Sequence, residues 1–294
     1  MTAVREDKVT DAWLVERFEE HRGRLRAVAY RMLGSLDEAD DAVQETWLRF
    51  SAAGADRVEN LGGWLTTIAS RVCLNTLRAR AARPETLAGW RVPDPVLSQA
   101  DGPTPEQEAL LADSVGLALL VVLDTLTPAE RVAFVLHDVF DFPFGEIAPM
   151  LERSPEAARQ LASRARHRVR AAGAREPDGT VAAQQAVVNA FFAAARAGDL
   201  AALVELLDPE VVLRTDGFAG TPTVLRGAAA VSGAALGGAS PNAEFRPVLV
   251  NGAAGMLITL RGRPAGLMAF TIVGGRITAV DGITDPHRLR RLVG

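Results

Sequence analysis

Lysine is almost missing from this chain: of its 32 basic residues one is Lys8, and the other 31 are arginine. So lopsided a ratio, beside abundant Ala, Gly and Val, is first of all a coding bias. A nucleic-acid partner therefore has to be argued from where the arginines sit. Cysteine is nearly absent too, and the lone Cys73 excludes an internal disulfide and a cysteine-based metal cluster. Long apolar runs are lacking: the longest, Val115 to Leu123, has nine residues, too short to span a bilayer. The N-terminus, Met-Thr-Ala-Val-Arg-Glu-Asp-Lys, has no apolar core of the kind a signal peptide needs. The expectation is a cytoplasmic protein without membrane contact.

What is present describes an ordinary globular chain of 294 residues, 48% hydrophobic and 23% charged, long enough for two or three units. Residues 8–83 read as helical. "WLVERFEEHRGRLRAVAYRML" puts Leu14, Phe18, Leu25, Val28 and Met32 near one side. Gly34 and Ser35 break that pattern, and Ser35 with Asp37 and Glu38 opens a second helix. A polar loop at 52–63 leads to a third, with Leu65, Ile68, Val72 and Leu77 on its buried stripe. Residues 84–105 hold five prolines and two glycines, which no regular helix survives, so they read as a linker. Residues 106–172 are helical again, with Thr127, Pro128 and Glu130 in a capping-box arrangement. After a second hinge, residues 180–294 read as helices followed by an antiparallel meander, an α+β pattern. Its short β-prone runs are separated by Asn-Gly, Arg-Gly-Arg-Pro and Gly-Gly.

"SPEAARQLASRARHRVR", Ser154 to Arg170, carries five arginines in a chain of net charge −4. Helical geometry splits it into two faces. Ala158, Leu161, Ala162, Ala165 and Val169 make an apolar side for packing on Ile147 and Leu151. Arg159, Gln160, Ser163, Arg164 and His167 fall on the other. A basic second helix after a short turn is a helix-turn-helix candidate: Arg and Gln bond base edges, and Arg166, Arg168 and Arg170 suit phosphates. Taken alone, the window equally suits a solvated arginine face on a core-packing helix.

Three upstream and downstream segments decide between these. "DEADDAVQETWLRF" resembles region 2.2 of sigma factors, "NLGGWLTTIASRVCLNTLRAR" resembles regions 2.3 and 2.4, and "LTPAERVAFVLHDVFDFPFGEIAPMLERSPEAARQLASRARHRV" resembles region 4. Over residues 8–172 the chain is thus similar to extracytoplasmic-function (ECF) sigma factors. That resemblance implies two all-α sigma domains, region 2 at 8–83 and region 4 at 106–172, joined by the linker. It implies docking on core RNA polymerase, at the β′ clamp helices and β flap, through Asp37, Asp40, Asp41, Gln44, Glu45 and Leu48. It implies −10 recognition and melting through Asn60, Trp64, Arg71, Asn75, Arg78 and Arg80, with the 52–63 loop capturing a flipped base. Arg159, Gln160, Ser163, Arg164 and His167 would read the −35 element of promoter DNA. Trp64 has a second reading, as a core tryptophan heading a buried stripe.

The remaining residues resemble the SnoaL-like branch of the NTF2-like fold, a cone that one SigJ-like group of ECF factors carries at its C-terminus and that is thought to modulate the factor in cis. That group's linker motif corresponds to "GWRVPDP", with Trp90, Arg91, Pro93, Asp94 and Pro95. Its strand-end motif corresponds to "TDGFAG", with Asp216 and Gly217, and its C-terminal motif to Asp285, Pro286, His287, Arg288 and Leu289. All three appear in altered form, the first two with Arg91 where a tryptophan is expected and Phe218 and Ala219 replacing glycines. Asp216, Asp281, Asp285 and His287 are the residues from which a paired acid and base would be drawn, but each also suits ordinary turn, strand-end, capping or surface use. The expectation is a sigma factor with no catalysis, no metal and no cofactor, with room for a small ligand in the C-terminal pocket. Two alternatives stay open at this point: a ligand-responsive helix-turn-helix regulator, and a SnoaL-like cyclase or isomerase.

Overall fold

A computed structural model describes residues 3–53, 60–82, 92–98, 116–172, 177–217 and 222–293, with side chains from Trp13 onward. Expectations placed on Trp90, Arg91, Phe218, Ala219 and the centre of the 52–63 loop lie outside the described residues. The chain forms two compact units. Described residues up to 82 and those of 126–168 build the first; 92–98, 116–125 and the chain from 169 build the second.

The first unit is helical. α1 (Ala3–Leu33), α2 (Leu36–Ala53) and α3 (Leu61–Ala81) pack together. Gly34 turns the chain between the first two at φ 69°, a conformation open to glycine without a Cβ penalty. Leu14, Phe18, Leu25, Val43, Phe50, Leu65 and Ala69 form the core, with Trp47, Leu61 and Trp64 packed against it. The rings of Phe18, Trp47, Phe50 and Trp64 touch at centroid separations of 5.1 to 6.1 Å. In such a core, truncating Phe50 to alanine costs about 3–5 kcal/mol.

Further along, α5 (Pro128–Phe134) starts on the expected capping box: Thr127 accepts from the Glu130 N–H, and Glu130 accepts from the Thr127 N–H. It runs into a single π-helical turn, Val135–Val139. α6 (Phe144–Leu151) and α7 (Pro155–Ala171) are the expected helix pair. Glu152 makes the turn between them in the left-handed region, at φ 56°. The two helical regions expected as separate domains pack here as one unit, α3 against α5 and α6, and α1 against the π turn. Arg131 is fully buried and donates to the Arg31 carbonyl at 3.4 Å.

The second unit is built on a seven-stranded sheet in the order β1-β4-β5-β6-β7-β2-β3. Its strands are β1 (Leu97–Ser98), β2 (Leu207–Thr215), β3 (Thr223–Arg226), β4 (Ala243–Val250), β5 (Ala253–Leu260), β6 (Arg263–Val273) and β7 (Arg276–Ile283). The β4–β7 meander is antiparallel as expected, and its turns at Asn251-Gly252, Arg261-Gly262 and Gly274-Gly275 all take positive φ. This is the geometry of a two-residue hairpin turn. α8 (Val181–Ala197), α9 (Leu200–Leu206) and α10 (Ala228–Gly238) supply helical packing around Phe191, Leu203, Val211, Val231, Met256, Phe270 and Val280.

Two features differ from expectation. β2 lies parallel to β7, so the sheet is mixed; α10, after the β2–β3 hairpin, carries the chain across to β4 as parallel neighbours require. The linker is also no exposed connector where it is described. Residues 92–96 are buried, and Leu97–Ser98 pair with β4 as its edge strand. α4 (Leu117–Asp124), expected within the second helical domain, belongs to this unit and packs on β7. It buries Leu117, Ala118, Leu120, Val121, Val122 and Leu123, as a helix apolar on all sides must. No described helix is long and apolar enough to cross a membrane.

Candidate functional site

The residues expected to meet polymerase share one face of α2. Its buried side is Ala39, Ala42, Val43, Thr46 and Phe50. Asp37, Asp40, Asp41, Gln44 and Leu48 recur at helical spacing on the opposite side and are exposed, with Glu45 partly so. Leu48 is 54% exposed, a large apolar side chain held in water at the C-terminal end of this acidic face. Asp40 takes a bidentate bond from Arg26 of α1, at 2.5 and 2.9 Å, and Glu45 pairs with Arg49.

The expected −10 residues divide. Arg71, Asn75 and Arg78 are exposed at i, i+4 and i+7 on α3, one face; Arg71 reaches the Pro149 carbonyl at 3.5 Å. Arg80 turns inward, pairing with Glu38 and donating to the Leu33 carbonyl at 3.1 Å. Asn60 caps α3, accepting from the Gly63 N–H at 2.9 Å. Trp64 lies partly buried, edge-on to Phe50.

On α7, Ser154 caps the start by accepting from the Ala157 N–H. Ala158, Ala162 and Ala165 are buried, which lets the helix sit close to the buried Ile147 and Leu151 of α6. Arg159, Gln160, Ser163, Arg164 and His167 are exposed together, as the helical spacing requires. The arginines are not all unengaged, however. Arg159 stacks over Phe144, itself against His137. Arg168 pairs with Glu130 of α5 at 2.9 Å and Arg166 with Asp138 of the π turn at 3.5 Å, so two of the three side chains assigned to phosphates already face acids.

In the second unit the separate motifs meet in one buried ionic cluster. Arg288, with a side chain 11% exposed, donates to Asp94 at 2.5 Å, to Asp216 at 2.9 Å and to the Val92 carbonyl at 2.6 Å. Arg291 adds a bond to Asp94 at 3.1 Å. Asp216 also accepts from the Thr284 and Asp285 N–H groups. Asp285 caps α11 (Pro286–Val293), accepting from the His287 and Arg288 N–H groups, both at 2.8 Å. Those bonds, that of Arg288 foremost, hold its carboxyl below the usual range. Pro93 and Pro95 flank Asp94 in buried positions, Gly217 turns at φ 67°, and Leu289 is fully buried. Asn251, which the sequence reading missed, locks the same strap: its side chain accepts from the Val96 N–H at 2.7 Å, and its N–H donates to the Val96 carbonyl.

Asp281 has a different partner. It pairs with Arg214 through two bonds, at 2.6 and 3.1 Å, across the parallel β2–β7 ladder. Burial pushes its carboxyl above the usual range, and Arg214 opposes that shift. Strand alternation puts Asp281 and Arg214 on the face opposite Val280 and Leu213, which belong to the apolar core. Burial also lifts the Cys73 thiol to about 12, so it stays protonated and unreactive.

Comparison with known proteins now decides between the readings. The Sigma-70 region 2 family matches residues 17–83, and the Sigma-70 region 4 family matches 116–169. The ECF RNA polymerase sigma factor SigJ of Mycobacterium tuberculosis is 42% identical over 212 residues, covering 72% of this chain and 68% of SigJ. The chain belongs to the ECF RNA polymerase sigma factors. The probable ECF sigma factor SigI of the same species is 35% identical over 290 residues, 96% of this chain and 95% of its own. The crystal structure of M. tuberculosis SigJ superimposes with a TM-score of 0.75 at 35% identity, over 94% of this chain and 98% of that one. As a sigma factor it binds core RNA polymerase and directs initiation at promoters. The match to SigJ extends through the C-terminal unit, as the sequence resemblance implied.

Proposed function

We propose that the exposed face of α2 docks on the β′ clamp helices and region 4 on the β flap. Arg71, Asn75 and Arg78 of α3 act at the −10 strand, and Arg159, Gln160, Ser163, Arg164 and His167 of α7 read the −35 element. The observation that carries this reading is the segregation itself: an acidic face with a bare leucine on α2, and basic faces on α3 and α7. Acid belongs to the polymerase side and arginine to the DNA side, which is why net charge says so little. Asn60 and Arg80 serve helix capping and the α1–α2 junction, leaving the three α3 side chains as the −10 set.

The C-terminal unit modulates the factor in cis by clamping the linker through Arg288, Asp94, Asp216 and Asn251. It catalyses nothing: Asp216, Asp281 and Asp285 are consumed by arginines, backbone N–H groups and a helix cap, which disfavours the cyclase or isomerase reading. The helix-turn-helix regulator reading leaves α2 and α3 without purpose.

The test is run-off transcription from a genomic fragment library with bacterial core polymerase. Specific transcripts are expected from the full chain; Leu48→Asp abolishes co-elution with core, and Arg159→Ala with Arg164→Ala removes the transcripts while co-elution persists. Transcripts that survive both arginine changes would refute the −35 assignment.

A further inference from the structure

Among the described residues of the helical unit, Glu130 is the one buried carboxylate. Its place at the third position of α5 explains a capping side chain but not a charged one, because glutamine caps there equally well. The charge has other partners. One oxygen accepts from the Thr127 N–H and hydroxyl, at 3.1 and 2.8 Å, and from Arg168 at 2.9 Å. The other lies 3.5 Å from the Arg164 guanidinium. Arg168 and Arg164 are one turn apart on α7, so a single buried acid faces two cations of the DNA-reading helix. The two are held unequally: Arg168 closely, and Arg164 at long range with a side chain 62% exposed.

We infer that Glu130 is a positioning residue that competes with DNA phosphate for Arg164 and so limits sequence-independent binding by α7. Arg168 stays docked on Glu130 as a strut, and Arg164 exchanges Glu130 for DNA. A charge-assisted pair at long range and high exposure is weak enough to be displaced, yet it subtracts one cation from the helix until it is. Sequence-independent affinity rises with each phosphate neutralised, so this subtraction favours discrimination over raw affinity. The inference rests on α7 being the DNA-reading helix.

The experiment uses the full chain and a 25-base-pair duplex of arbitrary sequence, with binding followed by fluorescence anisotropy across a salt series. Glu130→Gln keeps the cap and removes the charge; it is expected to bind about three- to tenfold tighter at low salt, with a salt slope steeper by about one. Arg164→Ala in the same chain cancels the gain. Thr127→Ala, which removes the cap and the hydroxyl bond to Glu130 but keeps its charge and both arginines, lowers the melting temperature and leaves the slope unchanged, so a merely structural role for Glu130 is told apart. An unchanged slope, weaker or no measurable binding, or a gain that survives Arg164→Ala overturns the inference. Failure of the sigma reading shows separately, as no co-elution with core polymerase.

Discussion

The two units use the same pair of residue types in opposite ways. In the helical unit several of the described ion pairs lie at the surface: Arg17–Glu20, Arg22–Glu19, Arg26–Asp40 and Arg49–Glu45 all keep contact with water. In the C-terminal unit Arg214–Asp281, Arg288–Asp94 and Arg288–Asp216 are buried, with the half-exposed Arg291 also on Asp94. A hydrated pair contributes little and exchanges partners readily, which suits a surface that must meet polymerase and DNA. A buried pair is stringent, because removing one partner strands a charge in a low-dielectric interior. Charge on the first unit is therefore available for binding, and charge on the second holds the linker in place. Glu130 stands between the two: a buried acid in the helical unit, tied to exposed arginines.

The comparison breaks most readily at Arg288. Replacing it with alanine leaves Asp216 without its cation and Asp94 with the half-exposed Arg291, and is expected to destabilise the C-terminal unit by about 3–5 kcal/mol, read by denaturant unfolding. Amide exchange of Val96, Leu97 and Ser98 should rise with it. Arg214 sharpens the same point. Arg214→Ala alone is expected to cost about 3–5 kcal/mol, whereas Arg214→Met with Asp281→Leu restores most of the stability, because an apolar pair of similar volume escapes desolvation.

Next comes Asp285→Ala, which removes a helix cap and is expected to cost about 1 kcal/mol at neutral pH. Its sign with pH follows from its lowered carboxyl: the contribution is present above the ordinary Asp value of about 4 and is lost as pH falls through the folded value. Melting curves of variant and parent should therefore converge in acid. Asp281 runs the other way, since burial raises its carboxyl; its contribution is present below the ordinary value and lost as pH rises through the folded one. The smallest effect is expected on the helical surface, where Asp40→Asn should change stability by no more than about 0.5–1 kcal/mol. A large loss there would mean that the surface pairs are structural after all.

Much of this was legible in the sequence because it depends on local rules. The Thr127–Glu130 capping box, the two faces of α7, the acidic face of α2 and the hairpin turns at Asn251, Arg261 and Gly274 all follow from spacing within a few residues. What was not legible depends on distance along the chain. Nothing near Asp94 announces that Arg288, almost two hundred residues later, will bury it, nor that Leu97 will become an edge strand of β4. The parallel β2–β7 pairing and the departure of α4 from its own region are likewise long-range outcomes. Proline content agrees with the non-helical backbone of residues 92–98, but it could not show that they pack as a buried strap. Glu130 was visible as a cap; its second role needed the neighbouring helix.

The most direct measurement of the linker clamp's function is run-off transcription by core polymerase reconstituted with the full chain or with its Arg288→Ala variant, at a temperature where both are folded, with core binding followed in parallel. The account predicts equal core binding and a clearly altered transcript yield, the sign telling whether the clamp promotes or restrains initiation. Unchanged yield from a variant whose residues 96–98 have become exchange-labile would contradict it.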